Sequence, residues 1–192
     1  MEPNRHTLIL VKHAMPEIDP RLPASRWPLS PAGREASVVL AKRLARYRPA
    51  RVVTSIEPKA AETGAIVAGA LGLPVSSAPG LHEHDQGDVP FMGIEAWNAA
   101  VAEIFARPNE VVLGRESAND AGDRFASAVT VVRDEFPDDR VVIVAHGRVI
   151  SLAVAIANGI DGFSLWRRLG LPSFVVVDPR DWQVIDVVEG VV

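Results

Sequence analysis

The run Leu8-Ile9-Leu10-Val11-Lys12-His13 constrains this chain more than any other stretch. Four apolar residues in succession, with no polar alternation, suit a strand covered on both faces. Residues 7 to 12 are therefore expected to form a central parallel strand. The run ends in a lysine and a histidine, so a buried strand carries polar groups to a sheet edge. Val141-Val142-Ile143-Val144-Ala145-His146-Gly147 repeats the device much later. Two buried strands that each end in a histidine predict one site built from both.

The remaining pattern supplies helices to cover such a sheet. Residues 14 to 30 contain Pro16, Pro20, Pro23 and Pro28, which stiffen a loop and exclude regular structure. Trp27 lies within it, as a lid residue against a substrate or as a packing anchor for the loop. Ser30-Pro31 reads as N-cap and first residue of a helix to about Tyr47, with Ala36, Leu40, Leu44 and Tyr47 on one face. Arg51 to Thr54 is a short strand, and Pro58 opens a helix to about Leu71 that Gly72 and Pro74 end. Residues 76 to 90, with His82-Glu83-His84-Asp85, read as an irregular loop, and 91 to 106 as weakly helical. Val111 to Leu113 fits a short strand or a loop. Ser117 caps a helix over 118–136, strand 141–145 follows, and Gly147 starts a helix running from Val149 to Asn158. Phe174 to Asp178 and Gln183 to Val188 read as a hairpin joined by Pro179-Arg180-Asp181. Strands alternating with helices argue for an α/β chain with helices on both faces of a mainly parallel sheet. A length of 192 residues fits one domain, 1–192.

Composition narrows the function. A net charge of -4 gives no electrostatic reason to expect nucleic acid or an acidic membrane as partner. The absence of cysteine excludes a disulfide framework, a thiolate nucleophile and a cysteine metal site. The first residues, MEPNRH, are polar and precede no apolar run of signal-peptide length, and no segment approaches a membrane span. A cytoplasmic location is the expectation.

In an open parallel sheet, ligands bind beyond the carboxyl ends of the strands. His13, His146, Lys12 and Ser55 collect there, with Lys59 in the first turn of the following helix. Helix starts are expected to add free N–H groups, so a phosphate fits the set. A neutral imidazole attacks phosphorus to form a phosphohistidine. Cationic neighbours stabilise the equatorial oxygens. A carboxylic acid protonates the leaving alcohol, and Glu83 is the best-placed acid, with Glu116 and Asp85 as alternatives. His82, His84 and Asp85, joined by His13 or His146, also spell a zinc set, which the two lysines oppose. Arg148 reaches either the pocket or the helix surface.

These motifs resemble the histidine phosphatase superfamily, the phosphoglycerate mutase-like proteins. Lys12-His13-Ala14 is similar to the family's Arg-His-Gly signature at the end of its first strand. Ser55-Ile56-Glu57-Pro58-Lys59-Ala60, then Glu62-Thr63, resembles its serine-x-x-x-arginine-alanine segment with a threonine beyond. Ala145-His146-Gly147 resembles its second histidine motif, and Leu81-His82-Glu83 the leucine-x-glutamate segment of its proton donor. Gly114-Arg115-Glu116-Ser117 and Leu29-Ser30-x-x-Gly33 resemble two further landmarks, so the likeness spans residues 8 to 150. The resemblance implies a three-layer α/β/α sandwich with a mostly parallel central sheet and phosphoryl transfer without a metal or other cofactor. It implies catalytic His13, Glu83 and His146, with Lys12, Lys59 and Ser55 binding the phosphate of a small phosphorylated molecule. Hydrolysis is expected rather than mutase chemistry, which requires a phosphohistidine kept dry. The alternatives are that mutase, or a weakly active or non-catalytic phosphate-ester binder. Both signature arginines are lysines here, in a chain with three lysines and seventeen arginines. Lysine keeps the charge and loses the bidentate fork. The C-terminal strands at an exposed edge are compatible with a homodimer.

Overall fold

The computed structural model describes residues 7–87, 89–137 and 139–191, so the polar N-terminal hexapeptide lies outside the described residues. Six strands form one sheet in the order β3-β2-β4-β1-β5-β6. They are β1 (Leu8–Lys12), β2 (Arg51–Thr54), β3 (Val75–Ser77), β4 (Val141–Ala145), β5 (Ser173–Val177) and β6 (Val184–Val188). β3, β2, β4 and β1 run parallel, while β5 pairs antiparallel with β1 and β6 antiparallel with β5, as the expected hairpin. The helices are α1 (Pro31–Leu44), α2 (Pro58–Leu71), α3 (Ile94–Ala106), α4 (Ala118–Glu135), α5 (Gly147–Asn158) and α6 (Gly162–Arg168). Among the described residues no helix is long and apolar enough to cross a membrane.

The continuous apolar runs are explained by their alternation between two cores. Leu8 and Leu10 of β1, with Val141, Ile143 and Ala145 of β4, face Phe125 and Val129 of α4 and Val149 and Ile150 of α5. Ile9 and Val11, with Val142 and Val144, face Leu40 and Leu44 of α1 and Ala60 and Val67 of α2. Every residue of the two strands except Lys12 is buried. The result is the three-layer α/β/α sandwich. The connection leaving β1 crosses one face and that leaving β4 crosses the other. Their adjacent carboxyl ends therefore border the gap where such sheets bind ligands.

Local chemistry sets several boundaries. The Ser30 side chain accepts from the Gly33 N–H ahead of Pro31 at the first position of α1. Ser117 and Asp120 form a reciprocal capping box at the start of α4. α2 ends at Gly72, whose φ of 66° suits glycine. Two details differ from the sequence reading, while residues 111–113 take the loop alternative. Residues 75–77 form an edge strand rather than loop; only three residues long and exposed, they carry no buried periodicity to read. The helix expected to reach Tyr47 ends at Leu44 and tightens over 45–47, where Tyr47 packs edge-on against Phe174.

The proline-rich loop is anchored beside the sheet edge at Gly33. Ser30 donates to the Met15 carbonyl through both its N–H and its hydroxyl, each at 3.0 Å. A Cβ on Gly33 would lie 2.2 Å from that same oxygen. Gly33→Ala must therefore push α1 away from the segment two residues beyond His13. The expected loss of stability is about 2 kcal/mol, read as a lower urea midpoint with an unchanged slope.

Candidate active site

Strand register brings the two histidines together. Lys12 pairs with Ala145 across β1 and β4, and the ladder runs one step further through His13 N–H to the Ala145 carbonyl at 3.1 Å. The Ser55 N–H extends the β2–β4 ladder to Val144 in the same way, at 2.8 Å. His13 and His146 thus leave adjacent strands at one level, with Ser55 one residue below on the third. The imidazoles of His13 and His146 meet edge to face, with ring centroids 5.2 Å apart.

His13 Nδ1 lies 2.7 Å from the Ala14 carbonyl. A carbonyl only accepts, so in the neutral ring Nδ1 carries the hydrogen and Nε2 keeps its lone pair. Burial pushes the His13 pKa well below its ordinary value, and the neighbouring His146 and Lys59 add to that depression. His146 is fully buried and likewise depressed, by burial and then by Lys59. Its Nε2 lies 2.9 Å from the Ser55 hydroxyl, and its Nδ1 is buried with no partner among the described residues. Ser55 also accepts from the Glu57 N–H, so its hydroxyl braces the second histidine and the start of α2. Thr63 accepts from the Ala14 N–H at 3.1 Å and donates to the Lys59 carbonyl, joining the loop after β1 to α2.

Both lysines reach this edge. The Lys12 chain passes over Gly147, where a Cβ would come within 3.0 Å of Cε, and its ammonium donates to the Leu169 carbonyl. Burial lowers its pKa to about 8, against the opposing pull of Glu83. Lys59 is buried, donates to the Ala24 carbonyl at 2.7 Å and pairs with the carboxylate of Glu57. The bond to Ala24 pins the proline-rich loop against the site. Trp27 anchors that loop by donating to the Asp19 and Leu22 carbonyls, and its ring lies 6.3 Å from that of Phe91.

Glu83 caps α5. Its carboxylate accepts from the N–H groups of His84, Arg148 and Val149 at 2.9, 3.2 and 3.2 Å, and Arg148 Nε stands 3.5 Å away. Burial pushes the Glu83 carboxyl up, but Arg148, then His146, and the N–H bonds outweigh it and hold the group well below the usual carboxylate range. The expectation that helix starts offer free N–H groups therefore needs correction. The α5 start is bonded to Glu83, and α2 opens with Pro58, which has no N–H. Arg148 points inward, with its guanidinium over the Trp97 ring at 4.8 Å.

Two residues with clear positions here are given no role in the sequence reading. Glu57 joins Lys59, His146 and the Glu83 backbone. Its only signal was a carboxylate placed just ahead of a helix-opening proline. Arg124, in the middle of α4, donates to the carbonyls of Gly80, His82 and Glu83 and binds both oxygens of Glu116. It clamps the acid-bearing loop from more than forty residues away, a separation that no local pattern reveals. Glu116 is occupied by this clamp and by the Asp85 N–H, and the Asp85 carboxylate by the Gly87 N–H. The zinc alternative finds no support in the arrangement. His84 is buried with Nε2 on the Glu116 carbonyl, and the described residues hold no group of three or more His, Asp or Glu placed for a metal.

Comparison with known proteins identifies the fold and the family. The structure superimposes on a mycobacterial glucosyl-3-phosphoglycerate phosphatase with a TM-score of 0.75 at 22% identity, covering 96% of this chain and 99% of that one. A phosphoserine phosphatase from Entamoeba histolytica, in complex with 3-phosphoglyceric acid, gives 0.75 at 15% identity, over 95% and 96%. The protein YhfR of Bacillus stearothermophilus gives 0.72 at 24%, over 96% of each chain. At these identities the likeness shows a shared fold. No curated protein matches the sequence. The model of the histidine phosphatase superfamily, branch 1, matches residues 8–185, and the chain belongs to that family.

Proposed function

We propose that this protein is a metal-independent phosphomonoesterase that works through a phosphohistidine on His13. The observation that carries the reading is the meeting of the two imidazoles at 5.2 Å, with His13 Nδ1 held on the Ala14 carbonyl. That bond leaves a neutral Nε2 lone pair to act as nucleophile. Attack forms the N–P bond while the bond from phosphorus to the ester oxygen breaks. Lys12, Lys59 and the unpartnered Nδ1 of His146 take the equatorial oxygens, with Ser55 holding the His146 ring.

Glu83 gives the leaving oxygen its proton. It is ionised in the free protein, so it must take up a proton from solvent as the substrate binds. A phosphate dianion beside an anionic carboxylate raises the carboxyl pKa by like-charge repulsion. Glu83 then donates to the leaving oxygen, releases the alcohol, and takes a proton from the water that attacks phosphorus. Cleavage of the N–P bond frees phosphate and restores His13. The compared phosphatases are named for phosphorylated hydroxy acids, which places glucosyl-3-phosphoglycerate, phosphoserine and 3-phosphoglycerate in the first panel of substrates.

The test measures phosphate release from p-nitrophenyl phosphate and that panel, with and without chelator. Wild-type turnover that survives chelator and is lost in His13→Ala is the expected result. Turnover lost to chelator, or kept without His13, overturns the mechanism. Glu83→Gln should slow esters of poor leaving groups far more than p-nitrophenyl phosphate, whose phenolate departs without help.

The site also sets a pH dependence. Lys12 is an ammonium below about pH 8 and neutral above it, so its attraction for phosphate fades as pH rises. Inorganic phosphate should bind up to about tenfold more weakly per pH unit above that point. Lys12→Arg, permanently charged, should bind phosphate with a flat profile over the same range. Calorimetric titrations at several pH values read both profiles, and parallel ones would remove Lys12 from the phosphate site.

A further inference from the structure

We propose that Glu57 is a positioning residue that aims the Lys59 ammonium at the phosphoryl group, so that lysine acts there as a directed donor. The inference rests on the phosphomonoesterase reading and adds a residue to it.

Lysine is a flexible stem with a point charge, whereas arginine carries its donors in a rigid plane. The structure supplies the missing rigidity from outside the side chain. One oxygen of Glu57 pairs with Lys59 Nζ, and the Ala24 carbonyl takes a second ammonium hydrogen at 2.7 Å. With two of its three hydrogens fixed, the tetrahedral ammonium has one direction left for the third. The other Glu57 oxygen accepts from the Glu83 N–H at 2.8 Å and stands 3.6 Å from His146 Nε2. One buried carboxylate thereby ties the cation to the segment bearing the acid and to the second histidine. Its own N–H is bonded to Ser55, so its backbone is fixed from the same strand end. A carboxylate inside an anion pocket opposes ligand binding by charge alone. Its presence is accounted for if alignment in the transition state matters more than ground-state attraction.

A double-mutant cycle between positions 57 and 59, read as kcat/KM for p-nitrophenyl phosphate, tests this. Glu57→Gln in the wild-type background should lower kcat/KM by about tenfold or more. In a Lys59→Arg background the same change should cost less than about threefold, because a planar guanidinium needs no second residue to aim it. Inorganic phosphate should bind Glu57→Gln at least as tightly as wild type, since a negative charge has left the pocket. Equal losses in both backgrounds would show that Glu57 only braces the Glu83 segment, and would overturn the assignment. So would a Lys59→Arg protein without turnover. If Glu57→Gln does not fold, Glu57→Asp keeps the charge, withdraws it by one methylene and enters the same cycle with the same expectation. A wild-type protein that hydrolyses no phosphomonoester overturns the parent reading instead, and this proposal with it.

Discussion

Parallel pairing of Leu8–Lys12 with Val141–Ala145 is the interaction on which everything else rests. Both segments are apolar on both faces, so a shift by one residue would exchange their side chains between two differently shaped cores. The same hydrogen bonds that satisfy the buried backbone also decide that His13 emerges opposite His146. The site's geometry is thus a by-product of core packing. The imidazoles do not need to find each other by side-chain attraction; the ladder delivers them.

Placing ionisable groups at that edge has electrostatic consequences. Both histidines are buried deeply enough to be held neutral, which suits a nucleophile and leaves the pocket's charge to other groups. Lys12, Lys59 and Arg148 bring positive charge; Glu57 and Glu83 offset part of it. Such a cluster survives burial because each ion has a named partner: Lys59 with Glu57, Arg148 with Glu83, and Lys12 with a backbone carbonyl. The resting site is self-compensated, and an entering anion must exchange with contacts already made.

Much of this was legible in the sequence, for reasons that differ by residue. The two apolar runs identify β1 and β4 because a strand covered on both faces has few alternatives. His13 and His146 follow from their place at the ends of those runs. Ser30 with Pro31, and Ser117, mark helix starts through local capping chemistry. β3 escaped because an exposed three-residue edge strand has no pattern of burial. Arg124 escaped because its partners are set by tertiary packing, and an arginine in a helix interior is ordinary. The free N–H groups expected at helix starts were a local inference that tertiary structure overrode. Glu83, from a distant loop, reaches the α5 terminus first.

That last substitution gives the site its logic. A carboxylate bound to the N-terminus of α5 is stabilised as an anion by the helix and by Arg148, so alone it is a poor acid. In the proposed mechanism, a phosphate brought close by Lys12, Lys59 and His146 competes for the same positive field and makes that anion costly. The proposed acid would therefore be armed by the substrate's own charge. The burial that depresses the Lys12 pKa works in the same direction, since a buried ammonium regains full stability only beside an anion. Above about pH 8 an arginine at position 12 would keep its charge without a bound anion and lack this response. On this view lysine ties part of the pocket's positive charge to occupancy above about pH 8, and Glu57 supplies the alignment that lysine lacks.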